Sequence, residues 1–573
     1  MKIKHLFGLA VIAAMTASCS SNEDLGTAGP GTGTNETGVG YATFTINLPS
    51  VSGTRAADAG GAEMDEGTAK EYAVKSATAL IFQKYGSDEG SCKFVESVDL
   101  PTAAADWTDD TTGGITTTSK KLVAKLTNVD TKNQYYVLVL LNNNKTGGVK
   151  VPLPTVGQSY NEWNSQILNP SVDDLAADND FYMANAPLKG TASPTTLVTI
   201  NKENIYSSKE KAEAGTSAAT VYVERGVAKM SVNDPKTKTV IDKATNTSTQ
   251  STVEFNNWAL DITNKKTYAV HNIDGLSTDF PAIWTTPRFI GTNSRVYWGK
   301  DPNYNLDNLN TGKEAEREAE FNFIKATSGI NKTFTESAYC LENTFNLANM
   351  YQGQTTRVIF KATYTPKDAA GNPLADKDGT FYTIGNMTTI LKAEALETAV
   401  NTAATSVLPG CTVDYTNLKQ EGSHVITLAD IKDSTGTTLV ADKVYSGKTG
   451  TEIVKEINDK LGLIDGAGHA EAMVGINTYA QGVTYYIARV KHFGSLTPWN
   501  SGESYGTNNL KYLGRYGMLR NNWYELTVGN VYGPGYPGVP PVDPNQPDDE
   551  NEKYLSVSVK ILSWAKRSDT VDL

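Results

Sequence analysis

The chain has 573 residues, with 51 Lys and Arg against 63 Asp and Glu; the resulting net charge of −12 argues against nucleic acid, which demands a basic footprint. Its length allows two or three domains, and 28 Tyr, 49 Gly, and Thr- and Val-rich segments with few helical patterns point to a mostly β protein. Beyond Cys19 only Cys92, Cys340 and Cys411 remain, without C-x-x-C spacing; a Cys340–Cys411 bridge is open, but this is no disulfide scaffold.

The first residues read as an export signal. Lys2 and Lys4 precede an apolar run from Leu6 to Met15, too short to span a bilayer, and Thr16-Ala17-Ser18-Cys19 comes next as a small-residue site. No other stretch approaches membrane-spanning length. Residues 20–40 are rich in Gly, Thr and Asn, the composition of a flexible tether. Then comes the first strand pattern, Tyr41 to Leu48, with Ala42, Phe44, Ile46 and Leu48 alternating against Thr43, Thr45 and Asn47. A small-residue stretch after it carries a single Arg55 followed by Ala56, an accessible, extended segment of the kind a protease needs. Removing residues 1–55 leaves the net charge unchanged, because Lys2, Lys4 and Arg55 balance Glu23, Asp24 and Glu36.

Strand signals recur at Ala77 to Gln83, Leu122 to Leu126, Gln134 to Leu141, Asp180 to Pro187 and Ala218 to Val232. They continue at Val253 to Thr263, Arg357 to Tyr364, Val483 to Val490 and Trp523 to Val528. Two helices are expected: a charged one over Lys313 to Lys325, and an amphipathic one over Thr451 to Leu461 with Thr451 as N-cap. Strands joined by long irregular connections suggest β-sandwiches rather than α/β units. Residues 533–552 are rich in Pro and acidic side chains, so a solvated linker is expected, able to carry the chain's last segment about 60 Å at roughly 3 Å per residue. That last segment holds one strand pattern, Tyr554 to Trp564, with Leu555, Val557, Val559 and Ile561 on one face and Ser556, Ser558 and Lys560 on the other.

Two such strands, one removable and one tethered, are the parts of a strand-exchange polymer, because a lone strand in water leaves its ladder groups without partners. Several blocks carry a family resemblance. They are the lipobox at Cys19, the strand followed by GTRAADAGG around Arg55, and VERGVAK from Val223 to Lys229. The block from Tyr485 to Val531 and the terminal SVSVKILSW belong with them. Together these resemble the type V pilins, the fimbrillins of Bacteroidetes, and within them the shaft subunits of the minor fimbria. Thr16 stands where the usual lipobox has Leu.

The resemblance implies two tandem transthyretin-like Greek-key β-sandwich domains with a few short helices and a C-terminal donor strand. Residues 1–18 would be a lipoprotein signal, 19–55 a propeptide, 56–220 and 221–532 the two sandwiches, and 533–573 the linker and donor strand. Cys19 would be acylated, palmitate included, to hold the precursor at the outer membrane. An Arg-specific or trypsin-like protease would cut between Arg55 and Ala56. The donor strand of another copy would then fill the groove vacated by Ala42, Phe44, Ile46 and Leu48. Head-to-tail copies of itself, anchor and tip pilins, and host or bacterial surface receptors are the implied partners, in a surface fimbrium serving adhesion and biofilm formation. A tip or accessory adhesin, an anchor subunit, and a surface glycan-binding lipoprotein are the rival readings.

Enzymatic chemistry finds no support in the residues, and neither a cofactor nor a metal site is expected. There is no H-E-x-x-H and no G-x-S-x-G. Gly447-Lys448-Thr449 lacks the earlier glycine of a phosphate loop, Asp442 standing there. His492 reads as a packed or capping residue. Lys377-Asp378-Gly379 reads as turn chemistry rather than a Ca²⁺ loop.

Overall fold

A computed structural model describes residues 38–48, 64–65, 67–102, 108–110, 117–130, 132–189, 194–276, 296, 298–306, 309, 312–346, 349–385, 387–463, 475–492, 514–542, 544–548 and 555–564. The protein is mostly β, with few helices. Alternating and β-branched runs become strands where sequence periodicity expects them.

The first sheet contains β1 (Gly40–Asn47), β3 (Ala77–Gln83), β4 (Lys93–Leu100), β5 (Thr108–Asp110), β6 (Thr117–Leu126), β7 (Tyr135–Leu141), β8 (Met183–Asn185) and β9 (Ala219–Arg225), in the order β4-β3-β7-β8-β9-β1-β6-β5. β2 (Met64–Asp65) belongs to the second sheet. The near-continuous apolar run of β7 is explained by burial on both faces, Val137 to Leu141 all being 0% exposed, while its two edges pair with β3 and β8. β9 pairs with β1 through Ala219–Tyr222 and with β8 through Val223–Arg225, so it bridges the two halves of this sheet.

The run expected from Ala218 to Val232 is two strands, β9 and β10 (Ala228–Val232), and the chain changes sheets between them. Gly226 allows the crossing, since a Cβ there would lie 2.8 Å from Tyr182 Cδ1. The second sheet adds β11 (Thr237–Asp242), β12 (Thr247–Asp261), β13 (Ala338–Cys340) and β14 (Arg357–Thr365). After three short strands, β15 (Phe381–Ile384), β16 (Gly422–His424) and β17 (Ile476–Tyr479), it resumes with β18 (Val483–Arg489), β19 (Asn522–Val531) and β20 (Leu555–Trp564). Its order is β2-β20-β19-β11-β12-β14-β18, with β10 pairing both β19 and β13. Each large sheet closes over its own apolar core, the first around Phe44, Leu138 and Val221, the second around Trp258, Phe360 and Tyr524.

Between β14 and β18 the chain builds a third core, of which periodicity announced only the helix over Thr451 to Leu461. The β15-β17-β16 sheet is covered by α4 (Ala393–Val407) and α5 (Gly450–Leu461); α1 (Ala69–Tyr72), α2 (Lys209–Ala214) and α3 (Glu314–Glu320) precede them. α4 buries Leu396, Val400, Ala403, Ala404 and Val407, a stripe at helical spacing whose small residues give a weak signal. α5 starts earlier than expected. Thr449, not Thr451, is the N-cap, because Glu452 stands three residues on and closes a capping box, Thr449 N–H donating to Glu452 Oε2 at 2.7 Å. The charged helix covers only Glu314–Glu320, since buried Phe321 turns extended and pairs with Asn264.

Cys92, Cys340 and Cys411 are each buried and free, so the open Cys340–Cys411 bridge is not made. Cys340 Sγ instead lies 3.5 Å from Met518 Sδ. Among the described residues no helix is long and apolar enough to cross a membrane, and no cluster of three His, Cys, Asp or Glu could hold a metal ion.

Candidate functional site

β1 is an interior strand. All eight of its residues pair antiparallel with β6, from Gly40–Leu126 to Asn47–Ser119, and Phe44 to Asn47 pair in parallel with Ala219 to Tyr222. Its apolar face is the one read from the sequence: Ala42, Phe44 and Ile46 are 0% exposed and Leu48 4%. The other face is roofed by α2 and the residues after it. Thr43 Oγ1 donates to Ala212 O at 2.6 Å, Thr45 Oγ1 lies 2.6 Å from Ser217 Oγ, and Ala218 N–H donates to Thr43 O at 2.7 Å. Tyr41 and Ala42 also pair antiparallel with Tyr206 and Ile205, so withdrawing β1 would strip partners from three strands and open an apolar trough through the sheet. Burying each large apolar side chain there is worth about 1.5–3 kcal/mol before entropy.

β20 occupies a different kind of position. It runs antiparallel to β19, Leu555 opposite Val531, Val557 opposite Val528, Val559 opposite Leu526 and Ile561 opposite Tyr524. Those four β19 residues are all buried. On its far edge β20 meets β2, Met64 beside Ser563 and Asp65 beside Trp564. In this single chain the C-terminal strand is thus docked on its own second sheet.

The proline-rich segment before it is not the solvated linker that composition suggests. Tyr536 exchanges backbone hydrogen bonds with Tyr485 at 2.8 and 2.9 Å. Tyr479 and Tyr486 hydroxyls donate to Gly535 O and Gly533 O at 3.0 and 2.8 Å. Arg357, held by Asp261 at 2.9 Å, donates to Pro540 O at 2.6 Å and Pro541 O at 3.2 Å. Asp548 is 0% exposed, its N–H donating to Met350 O at 3.1 Å. Prolines lack donors but keep their carbonyls, and tyrosine and arginine side chains of the sheet bind carbonyls of this segment.

After the candidate cleavage site, α1 touches both sheets. Glu71, in α1, lies 2.8 Å from Lys229 Nζ of β10 and accepts from Tyr339 Oη at 2.5 Å, both charged side chains being buried. The Lys229 ammonium also stands 3.5 Å from the centroid of the Trp523 ring. Arg225 Nε donates to Glu71 O at 2.8 Å and Arg225 N–H to Asn521 Oδ1 at 3.1 Å. Sequence reading missed this junction, although VERGVAK places Arg225 and Lys229 at the crossing between sheets.

Cys19, Arg55 and Ala56 lie outside the described residues. The doubtful motifs resolve into structure. Lys448 is ion-paired with Glu456. Asp378 accepts from Thr380 N–H at 3.0 Å within a turn whose Gly379 has φ +89°. His492 is buried with Nδ1 2.8 Å from Tyr524 Oη, and burial pushes its pKa down to about 3.

Residues 477–570 match the family described as major fimbrial subunit protein type IV, fimbrillin, C-terminal. The matched segment runs from β17 through β20. No curated protein matches the chain. Among solved structures, a candidate cell adhesion protein from Bacteroides eggerthii aligns over 94% of this chain and 98% of its own, at 12% identity and TM-score 0.34. A fimbrial assembly protein from Parabacteroides distasonis covers 61% of this chain and 93% of its own, at 12% identity and TM-score 0.26. The tip fimbrial protein Mfa3 from Porphyromonas gingivalis, with a C-terminal truncation, covers 91% and 100%, at 10% identity and TM-score 0.27. None of the three likenesses carries the assignments made for this chain. Residues 477–570 are thus similar to the C-terminal region of the fimbrillins, and the fimbrillin resemblance read from the sequence is borne out.

Proposed function

We propose that this protein is a structural shaft subunit of a type V pilus at the cell surface, built on two tandem transthyretin-like sandwiches. It is exported as a lipoprotein acylated at Cys19, cut between Arg55 and Ala56, and polymerised by strand exchange. The observation that carries this reading is the place of β1. A strand buried in the middle of a sheet is joined to the rest of the chain by the segment that holds Arg55. Cutting there leaves β1 held by no covalent bond to the mature subunit, and a gap of its own shape behind it. β20 of another copy offers the same alternation, and β-strand addition restores the ladder bonds and the burial together. Donor and acceptor surfaces differ, so each contact leaves a free donor and a free acceptor, and the assembly grows as an open filament serving adhesion and biofilm formation. Before exchange, β20 rests on its own β19 and must leave it, along with part of the strap of residues 533–548.

The test is the N-terminus and intact mass of protein sheared from the cell surface. A start at Ala56, in material that migrates as a ladder until boiled, is the expected result. A lipidated Cys19 start on a monomer would overturn it in favour of an anchor subunit or a glycan-binding surface lipoprotein.

A further inference from the structure

β1 is more than an apolar plug. Three of its side chains outside the core-facing row have polar partners on the rim of the groove. They are Thr43 to Ala212 O at 2.6 Å, Thr45 to Ser217 Oγ at 2.6 Å, and Asn47 Nδ2 to Val221 O at 3.4 Å. Thr43 and Asn47 are 1% and 7% exposed, so water has little access to their seats, while Thr45 and Ser217 are half-buried. An incoming strand that set apolar side chains there would leave buried polar groups short of partners, which is costlier than the bond itself is favourable. The groove therefore selects an order: hydroxyl, apolar, hydroxyl, apolar, polar donor.

Tyr41 to Leu48 reads YATFTINL, and Tyr554 to Ile561 reads YLSVSVKI. Set one on the other, Ser556 falls on Thr43, Ser558 on Thr45 and Lys560 on Asn47, each a donor for a donor. Leu555, Val557, Val559 and Ile561 fall on Ala42, Phe44, Ile46 and Leu48. A serine carries its hydroxyl on the same Cβ as a threonine, so the seats stay in reach without a backbone shift. Sliding the donor two residues one way puts Lys553 in the Ala42 place in the core. Sliding it two the other way puts Lys560 at Ser217 and Ser563 in the Leu48 place. A one-residue slip turns the whole apolar row outward.

We propose that these hydroxyl seats fix the register of exchange, so that Tyr554–Ile561 of a second copy takes the places of Tyr41–Leu48. The proposal rests on strand exchange as the mode of assembly. It adds a specificity device at the rim of the groove, built from α2, Ser217 and Val221. The larger Leu555 at the Ala42 place and the smaller Val557 at the Phe44 place exchange bulk between neighbouring positions, while the polar row stays in step.

Thr45 stands directly opposite Lys121 in the register of β1 and β6. In the proposed register Ser558 of the incoming copy stands there instead. The experiment introduces cysteine pairs into the full-length chain and oxidises the assembled fibres. Ser558→Cys with Lys121→Cys should link subunits into a ladder that survives boiling without reductant, and Ser556→Cys with Lys121→Cys should not. Thr45→Cys with Lys121→Cys in the uncleaved precursor, forming its bond within one chain, shows that the geometry permits a disulfide. Linking through position 556 instead of 558 would overturn the register while leaving exchange intact. Fibres that form but link through neither position would overturn the strand-exchange reading as well. A second comparison isolates the hydroxyls. Ser556→Thr with Ser558→Thr should keep the temperature at which the ladder collapses, and Ser556→Val with Ser558→Val should lower it; equal collapse temperatures would remove the hydroxyl seats from the account.

Discussion

β1 and β10 hold the same place in their respective sheets. β1 is antiparallel to β6 and parallel to β9; β10 is antiparallel to β13 and parallel to β19. Both are core strands, with Ala42, Phe44 and Ile46 in one and Ala228 and Met230 in the other at 0% exposure. Their attachments differ. β10 follows β9 after only Gly226 and Val227, inside a crossing packed against Tyr182. β1 is followed by a long small-residue stretch with one arginine. In the proposed exchange, what sets β1 apart is therefore its connection, since both strands are buried and each pairs antiparallel on one side and parallel on the other.

The largest expected effects are all-or-none. Deleting Tyr554–Leu573 should give a folded, secreted monomer that cannot polymerise, because the groove forms but nothing fills it; normal fibres from this deletion would sink the donor assignment. Arg55→Ala should stall the chain as a lipidated precursor with β1 still seated, and fibre yield equal to that of the unaltered chain would remove Arg55 from the pathway.

A graded contrast comes next. Phe44→Ala and Met230→Ala each remove a large side chain with 0% exposure, and each should cost its sheet about 2–5 kcal/mol in the precursor. After cleavage the two should separate. Met230 remains part of the mature subunit, so its variant keeps the deficit. Phe44 leaves with β1, so fibres of that variant should melt like those of the unaltered chain. Thermal unfolding of precursor and fibre for both variants measures the difference, and a Phe44→Ala deficit that persists in fibres would mean that β1 never leaves.

How much of this was legible in the sequence depended on the kind of signal. Strict alternation marked β1 and β20 to within a residue, because a strand with one face on a core must alternate. The burial of Ala42, Phe44, Ile46 and Leu48 followed from the same pattern. The hydroxyl seats did not, since Thr43 and Thr45 read as a solvent face until α2 and Ser217 are folded over them. The strap of residues 533–548 was misread for a related reason. Proline content reports what a segment cannot form, not which tyrosines and arginines elsewhere will bind its carbonyls. α4 was missed because its buried stripe leans on Ala403 and Ala404, which periodicity scarcely weights.

The smallest effect concerns the junction where Glu71, Lys229 and Arg225 join the two sheets. Burial alone would raise the Glu71 carboxyl, but the Lys229 charge and hydrogen bonds from Lys229, Tyr339 and the Thr68 N–H outweigh it and hold the group below its usual 4.5. A carboxylate so depressed stabilises the fold at pH above 4.5, and that contribution is lost as pH falls through the folded value. Acidification below pH 4.5 should therefore loosen the junction, seen as earlier protease cutting between the sheets. Lys229→Met should reverse the slope. Glu71 would then be a buried carboxylate without its counter-charge, its pKa would rise above 4.5, and stability would fall as pH rises. If the Lys229→Met chain keeps the slope of the unaltered one, the hydrogen bonds from Tyr339 and Thr68 suffice to hold Glu71 ionised, and the ammonium over Trp523 serves packing alone.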